Sequence, residues 1–132
     1  MKRSALREQV FRFLFQIDFF EERELPSQAA ICMEQADESL TAEDLLYIRE
    51  RFDGVTGHLH EIDALINERT SGWTTSRMGK AELTILRLAV YEILYDDTVP
   101  TAVAINEAVE LAKHYGQEES ASFVNGVLAH FA

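Results

Sequence analysis

The sequence is poor in residues that break or cross-link a chain. Its 132 residues include two prolines, six glycines and one cysteine, so an internal disulfide is excluded and little material remains for a linker. The apolar surroundings of Cys32 predict a core position. No stretch approaches the roughly 18 consecutive apolar residues of a membrane span, and the N-terminus lacks a signal-peptide cleavage pattern. A hydrophobic content of 47% suits one compact domain over residues 1–132, and the missing span and cleavage pattern predict a cytosolic protein.

The motifs of several enzyme classes are also missing. Neither a P-loop nor a G-x-G-x-x-G loop occurs, which argues against a nucleotide site. His58 and His60 stand two positions apart, and on a helix this spacing directs their side chains about 200° apart, away from a single metal ion. No Cys–His pair supports nucleophilic catalysis. We therefore expect no catalytic residues, no metal site and no cofactor.

Negative charge dominates the chain as a whole but not its beginning. The net charge is −11, which by itself disfavours nucleic acid as a partner. Residues 1–12, however, carry four cations against one acid, a local charge of +3, whereas residues 18–63 carry thirteen acids against three arginines, a local charge of −10. Because binding depends on the local field, the sequence predicts a basic tip on an acidic body.

Helical periodicity runs through almost the whole sequence. Apolar residues recur at helical spacing in the first segment, with Arg3 and Arg7 expected on its solvent side: Leu6, Val10, Phe13, Leu14 and Ile17. Further helices are predicted at residues 25–39, 40–73 (one helix or two, capped by Thr41, with Gly54 and Gly57 as weak points and Ser71–Gly72 at the end), 80–97, 101–116 and 118–131. No alternating strand pattern competes. The prediction is an all-α fold of six or seven helices in two packed bundles.

Cations and aromatic rings alternate near the N-terminus. Phosphates bind cations and unpaired bases stack on rings, so this combination is typical of proteins that bind single-stranded RNA. The residues concerned are Lys2, Arg3, Arg7, Phe11, Phe15 and Phe19. We expect most of the rings to be buried and one to be exposed. Trp73, at a helix junction, is expected to be a core anchor.

The segment SASFVNGVLAHF, residues 120–131, places Asn125 and Gly126 at the centre of an apolar helix. Both residues are unfavourable in a helix interior. The expected explanation is architectural: Gly126 allows close approach of a neighbouring helix, and a buried Asn125 amide binds a polar group from the Asn106–Glu107 turn. Direct RNA contact by Asn125 is the alternative.

Three segments closely resemble the NusB family of bacterial transcription antitermination factors. They are VPTAVAINEAVELAKHYG at residues 99–116 with SASFVNGVL at 120–128, GWTTSRMGKAELTILRLAVYEIL at 72–94, and MKRSALREQVFRFLFQID at 1–18. The resemblance covers the whole chain and is weakest across residues 19–70. It implies an all-α RNA-binding protein without catalytic activity.

The resemblance also implies partners and a binding site. Proteins of this family bind boxA, a short single-stranded element of ribosomal RNA leader transcripts, together with NusE, a small-subunit ribosomal protein. With other Nus factors on RNA polymerase they suppress termination. By position, the RNA-binding residues would be Lys2, Arg3, Arg7, Phe15, Glu119, Ser120 and Phe123. Glu82 and Arg87 fall in the segment that would face RNA and NusE.

The basic start of this chain departs from the family pattern at two positions. Ser4 stands where the family often has a further arginine, and Arg12 stands where it has glutamine, so only three or four phosphate contacts and a salt slope of about −2 to −3 are expected.

Two alternatives stay open, one for the function and one for self-association. The alternative function is an adaptor of the same fold that binds NusE and not RNA. The sequence leaves open whether the free protein is a monomer or a homodimer that masks its RNA face.

Overall fold

The structure, a computed structural model, describes residues 1–70 and 72–132. This part of the chain contains seven α-helices and no strand: α1 (Arg3–Leu14), α2 (Leu25–Glu34), α3 (Ala42–Gly57), α4 (Leu59–Arg69), α5 (Lys80–Tyr95), α6 (Thr101–Tyr115) and α7 (Ser120–Leu128). Single 3-10 turns lie at Ile17–Phe19, Glu22–Glu24, Thr75–Arg77 and Ala129–Phe131. The predicted all-α class, with six or seven helices in two bundles, is confirmed.

The helices divide into two compact units. The N-terminal unit, Met1–Gly57, contains α1 to α3, and α3 packs against both α1 and α2. The C-terminal unit, His58–Ala132, contains α4 to α7, and α5 contacts each of the other three helices. The single-domain assignment of residues 1–132 stays a prediction.

Helix α1 buries a wider face than its apolar pattern predicts. Leu6, Val10, Leu14 and Ile17 are buried as expected, while Phe13 is only half-buried. Phe11 and Arg7 are buried as well, at 2% and 5% exposure. Because residues 7, 11 and 14 are spaced i, i+4, i+7, they share one side of the helix. The expectation that Arg7 lies on the solvent side of α1 is therefore wrong.

The start of α3 is set by a reciprocal cap. The Thr41 Oγ1 accepts a hydrogen bond from the Asp44 backbone N–H at 3.0 Å, and the Asp44 carboxylate accepts one from the Thr41 backbone N–H at 3.1 Å. Two otherwise unpaired N–H groups are satisfied in this way. The predicted capping role of Thr41 is confirmed.

Helix α5 is the central helix of its unit and is buried nearly all round. Its buried apolar side chains are Leu83, Ile85, Leu86, Leu88, Ala89 and Val90. Thr84, Arg87 and Glu92 are buried too. The all-round apolar sequence correctly predicted this central position.

Several helix ends differ from prediction for local reasons. Helix α2 ends five residues early because the Asp37 carboxylate and carbonyl accept the N–H groups of Ser39 and Leu40 in a turn. The long segment breaks at Gly57, whereas α3 continues through Gly54. Gly72 has a φ of +79°, which suits the predicted stop; Ser71 lies outside the described residues.

Cys32 is half-buried and does not occupy the core position predicted for it. The side-chain amide of Gln16 donates a hydrogen bond to the Cys32 Sγ at 2.8 Å.

Among the described residues, no helix combines the length and the apolarity needed to cross a lipid bilayer.

Candidate nucleic-acid interface

The first residues of the chain bring positive charge to the start of α1. Lys2 is exposed, and its extended backbone (φ −66°, ψ 152°) directs its carbonyl to the Leu6 N–H at 3.0 Å. The Met1 ammonium lies 3.7 Å from the Asp44 carboxylate. That carboxylate has a pKa below its usual value, chiefly because the Thr41 N–H donates to it, and the ammonium acts in the same direction. The basic start is thereby attached to the cap of α3.

Tyr47 of α3 holds two guanidinium groups. The Arg3 Cζ lies 4.4 Å from the centroid of the Tyr47 ring, and the Arg51 Cζ lies 3.7 Å from it. Guanidinium groups are attracted to the face of an aromatic ring, so the ring limits the freedom of both side chains. Arg3 remains exposed in this arrangement, while the ring is 7% exposed. Arg3 is therefore a positioned cation.

The other two cations of α1 are less available. Arg7 is buried, and this contradicts its predicted place in an RNA-binding set on the solvent side. Arg12 is exposed and forms an i,i+4 salt bridge with Glu8, whose carboxylate oxygen lies 3.3 Å from Arg12 Nη2. Exposed pairs of this kind contribute little to stability. Lys2 and Arg3 are thus the exposed cations at the start of the N-terminal unit.

Aromatic rings accompany these cations. Phe11 is buried, but Phe15 and Phe19 are 37% and 67% exposed, so two of the three rings are exposed and the prediction of one was wrong. Phe15 contacts Phe11 with a 6.0 Å separation of ring centroids. The 3-10 turn after α1 gives Phe19 no core position. The rings offer surfaces on which bases can stack.

A cleft of about 520 Å³ lies in the C-terminal unit, between the start of α5 and the start of α7. We call it the acidic cleft; its wall includes Trp73, Met78, Glu82, Glu119 and Phe123. Trp73 is 47% exposed and packs edge-on against Phe123, with ring centroids 5.5 Å apart. The prediction of Trp73 as a core anchor is therefore wrong. Of the predicted RNA-binding residues, Glu119, Ser120 and Phe123 line this cleft.

Ser120 is a structural part of this cleft. It is buried, its hydroxyl donates to Glu82 at 2.9 Å, and its oxygen accepts the Gln117 N–H at 2.8 Å. A Cβ on Gly116 would lie 2.4 Å from the Ser120 Cβ, so this approach requires glycine. Gly116 has an extended backbone (φ −92°, ψ −170°), and close contact is the reason for glycine here. Ser120 positions Glu82 at the wall of the cleft, and its predicted contact with RNA stays a prediction.

Arg87 does not face a partner. Its side chain is 6% exposed and forms two hydrogen bonds with Asp63 of α4, at 2.8 Å from Nε and 2.7 Å from Nη2. This bidentate geometry is typical of a structural arginine–carboxylate pair. The prediction that Arg87 faces a partner is wrong, whereas half-buried Glu82 keeps its place on the acidic cleft.

The architectural explanation of Asn125 and Gly126 is also wrong. Both residues are exposed, and a Cβ on Gly126 would meet no atom of the described residues within 4 Å. Asn106 is exposed on α6, Glu107 belongs to the same helix rather than to a turn, and no described hydrogen bond ties them to the Asn125 amide. This helix therefore presents an amide and bare backbone to its surroundings.

The two histidines of the HLHEID segment occupy an ordinary helix start. The His58 ring stacks on Tyr95 with centroids 4.0 Å apart, and its Nδ1 lies 3.3 Å from the Glu61 carboxylate. The Tyr95 hydroxyl donates to the same carboxylate at 2.9 Å. This bond lowers the pKa of Glu61 and raises that of Tyr95. His60 follows on α4.

Comparison with known proteins fits these observations. The sequence model of the NusB family matches residues 4–132. The chain belongs to the NusB family. The transcription antitermination protein NusB of Agathobacter rectalis is 50% identical to it over 132 residues, which are all of both chains.

Solved structures of the NusB family have the same fold. The NusB of T. maritima superposes with a TM-score of 0.88 at 36% identity, over 100% of this chain and 91% of that one. A crystal structure of the antitermination factors NusB and NusE in complex with double-stranded RNA contains a chain with a TM-score of 0.81 at 26% identity, covering 98% of this chain and 94% of that one.

Sequence reasoning missed two features of this NusB family member. Tyr47 stands four residues before Arg51 on α3, and this i,i+4 spacing of ring and cation predicts their contact. The exposure of Trp73 had a weaker signal, namely its position outside any helix directly after Gly72.

Proposed function

We propose that this protein is a transcription antitermination factor that binds boxA-type single-stranded RNA in ribosomal RNA leader transcripts. It does so together with NusE, in a complex with other Nus factors that suppresses termination by RNA polymerase. The observation that carries the proposal is the likeness over nearly the whole chain to the NusB of the NusB–NusE–RNA complex. We further propose that the protein acts in the cytoplasm and acts by binding, without catalysing a reaction and without a cofactor.

The N-terminal unit supports this function with exposed cations beside exposed rings. Lys2 and Arg3 would contact phosphates, and Phe15 would stack on a base. In the C-terminal unit, Glu119 would accept hydrogen bonds from base edges and Phe123 would offer a ring. Arg7, being buried, would act through the structure it stabilises.

The test is a fluorescence-anisotropy titration of a labelled boxA-like single-stranded RNA, with and without NusE. With two to three phosphate contacts on single-stranded RNA, the logarithmic salt slope is expected to be about −1.5 to −2. The variant Lys2→Ala/Arg3→Ala should lose RNA binding. The control variant Arg49→Ala/Lys113→Ala removes two cations from exposed salt bridges elsewhere and should bind like the wild type.

The overall charge of −11 favours the second candidate, an adaptor that binds a basic ribosomal protein and not RNA. An adaptor would form a stable complex with NusE, would bind no RNA at any salt concentration, and would be unaffected by the Lys2→Ala/Arg3→Ala substitution. Salt-dependent RNA binding that NusE strengthens would exclude it.

A further inference from the structure

A second cleft, of about 250 Å³, lies on the exposed side of α7. We call it the Gly126 cleft; its wall includes Thr70, Trp73, Ser122, Gly126 and His130. All of these residues belong to the C-terminal unit. Trp73 and Phe123 line both this cleft and the acidic cleft, so the exposed indole forms a wall between two depressions.

Gly126 keeps the cleft open. A side chain on this residue would meet no described atom within 4 Å, so helix packing does not require glycine here. Glycine in a helix nevertheless costs about 1 kcal/mol relative to alanine. What glycine provides at this position is a flat surface of bare helix backbone beside the indole, and such a surface admits a flat ligand group.

The cleft also contains one polar group that lacks a hydrogen-bond partner in the described part of the chain. The Thr70 hydroxyl is buried and has no hydrogen-bond partner among the described residues, although a buried polar group normally has one. Thr70 itself is 8% exposed and lines the cleft. The hydroxyl oxygen itself is enclosed, so a ligand with a hydrogen-bonding edge would satisfy it after the Thr70 side chain rotates toward the cleft.

A cation lies beside the cleft. The Arg69 guanidinium donates to the backbone carbonyl of His130 at 3.3 Å, and its Cζ lies 4.6 Å from the centroid of the Phe131 ring. Arg69 is exposed and forms no salt bridge with a described residue. The contacts with His130 and Phe131 therefore hold a positive charge at the edge of the cleft that lies near His130.

We propose that the Gly126 cleft is a subsite for one unpaired nucleobase of a bound single-stranded RNA. The base stacks on Trp73 over the bare backbone at Gly126, its polar edge pairs with the Thr70 hydroxyl, and the adjoining phosphate lies beside Arg69. This assignment rests on the proposed RNA-binding function and adds a contact that the N-terminal cations do not provide. Base stacking on an aromatic residue, hydrogen bonding to an unpaired edge and a single cation together are the usual chemistry of such a subsite.

Trp73 is the only tryptophan of the chain and lines both clefts, so its fluorescence reports on ligands in either cleft, and the variants described below identify the Gly126 cleft. A boxA-like single-stranded RNA is titrated into the full-length protein while indole emission and RNA anisotropy are followed in parallel. Emission should fall with the same midpoint as the anisotropy change. A duplex of the same sequence should leave the emission unchanged, because its bases are not available for stacking.

Two variants test the assigned contacts. Gly126→Leu adds a side chain to the wall of the cleft at a position where a Cβ meets no described atom within 4 Å, and it should weaken RNA binding at least fivefold, the lower end of the loss of one stacked base. Thr70→Val keeps the shape, removes the hydroxyl and should weaken binding two- to tenfold with no loss of thermal stability. The control Ala102→Leu adds an exposed leucine on α6, away from the cleft, and should bind like the wild type.

Each alternative outcome has a distinct signature. RNA binding by anisotropy with unchanged indole emission and with wild-type affinity of Gly126→Leu would overturn the subsite and leave the proposed function intact. Weakened binding of NusE alone, with RNA affinity unchanged, would also overturn it and assign the cleft to protein docking. The absence of any RNA binding by the wild type would remove the proposed function and the subsite together.

Discussion

The guanidinium of Arg3 lies over the ring of Tyr47, 4.4 Å from its centroid, although the two residues belong to different helices. Tyr47 is buried, and its hydroxyl has no hydrogen-bond partner in the described part of the chain. The ring therefore supports an exposed cation, whereas the hydroxyl forms no described hydrogen bond that would contribute to this role.

Tyr47→Phe should keep RNA affinity and raise the free energy of unfolding by up to about 1 kcal/mol, since it removes an unsatisfied buried hydroxyl. Tyr47→Leu removes the ring and should lower RNA affinity in the wild type but not in an Arg3→Ala background. Anisotropy and urea denaturation of the five proteins (wild type, Tyr47→Phe, Tyr47→Leu, Arg3→Ala and Arg3→Ala/Tyr47→Leu) form the test. A further loss of affinity from Tyr47→Leu in the Arg3→Ala background would contradict a positioning role.

Arg87→Ala should destabilise the protein by about 3 kcal/mol, because it leaves the Asp63 carboxylate without its buried partner. Urea denaturation measures the loss. RNA and NusE affinities per folded molecule should not change, since the guanidinium is 6% exposed. A stable Arg87→Ala variant with weakened NusE binding would restore the partner-facing assignment.

Two glycines should respond in opposite ways to the same substitution. Gly116→Ala places a Cβ 2.4 Å from the Ser120 Cβ and 2.7 Å from the Ala112 carbonyl oxygen, so it should lower the melting temperature and disturb the acidic cleft. Gly126→Ala meets open space and should stabilise the protein by about 0.5–1 kcal/mol. Scanning calorimetry distinguishes the two. Equal effects would contradict the packing described around Gly116.

Acid should weaken the attachment of the basic start. The pKa of Asp44 is lower in the folded protein than its ordinary value of 3.8, so the carboxylate stabilises the fold above that value and the contribution is lost as pH falls through the lowered pKa. Asp44→Asn should therefore be less stable than the wild type at about pH 5, with the difference shrinking toward about pH 2. Denaturation at stepped pH values measures it. A pH-independent difference would contradict a stabilising role of the Asp44 charge.

The sequence predicted the fold well because helix signals are local. The apolar spacing of α1, the threonine cap at Thr41 and the all-round apolar segment of α5 depend on neighbours a few residues away. Lys2 and Phe15 are exposed, as their place in the RNA-binding set implied by the family resemblance requires.

The site was predicted less well because burial of a polar residue depends on contacts distant in sequence. Arg87 is paired with Asp63, 24 residues earlier, and Ser120 with Glu82, 38 residues earlier. Asn125 was expected inside because its neighbours are apolar, yet Val124 is buried and Asn125 is exposed on the same helix. Helix periodicity alone does not determine which of these two neighbouring residues faces the core; tertiary packing determines it.

The division of the chain at Gly57 bears on how the protein folds during synthesis. Contacting helices are near neighbours in sequence within each unit, and such local topology is associated with rapid folding. All three helices of the first unit are translated before α4 begins at Leu59. Vectorial folding, with Met1–Gly57 collapsing while later helices are still being translated, follows from this order of elements.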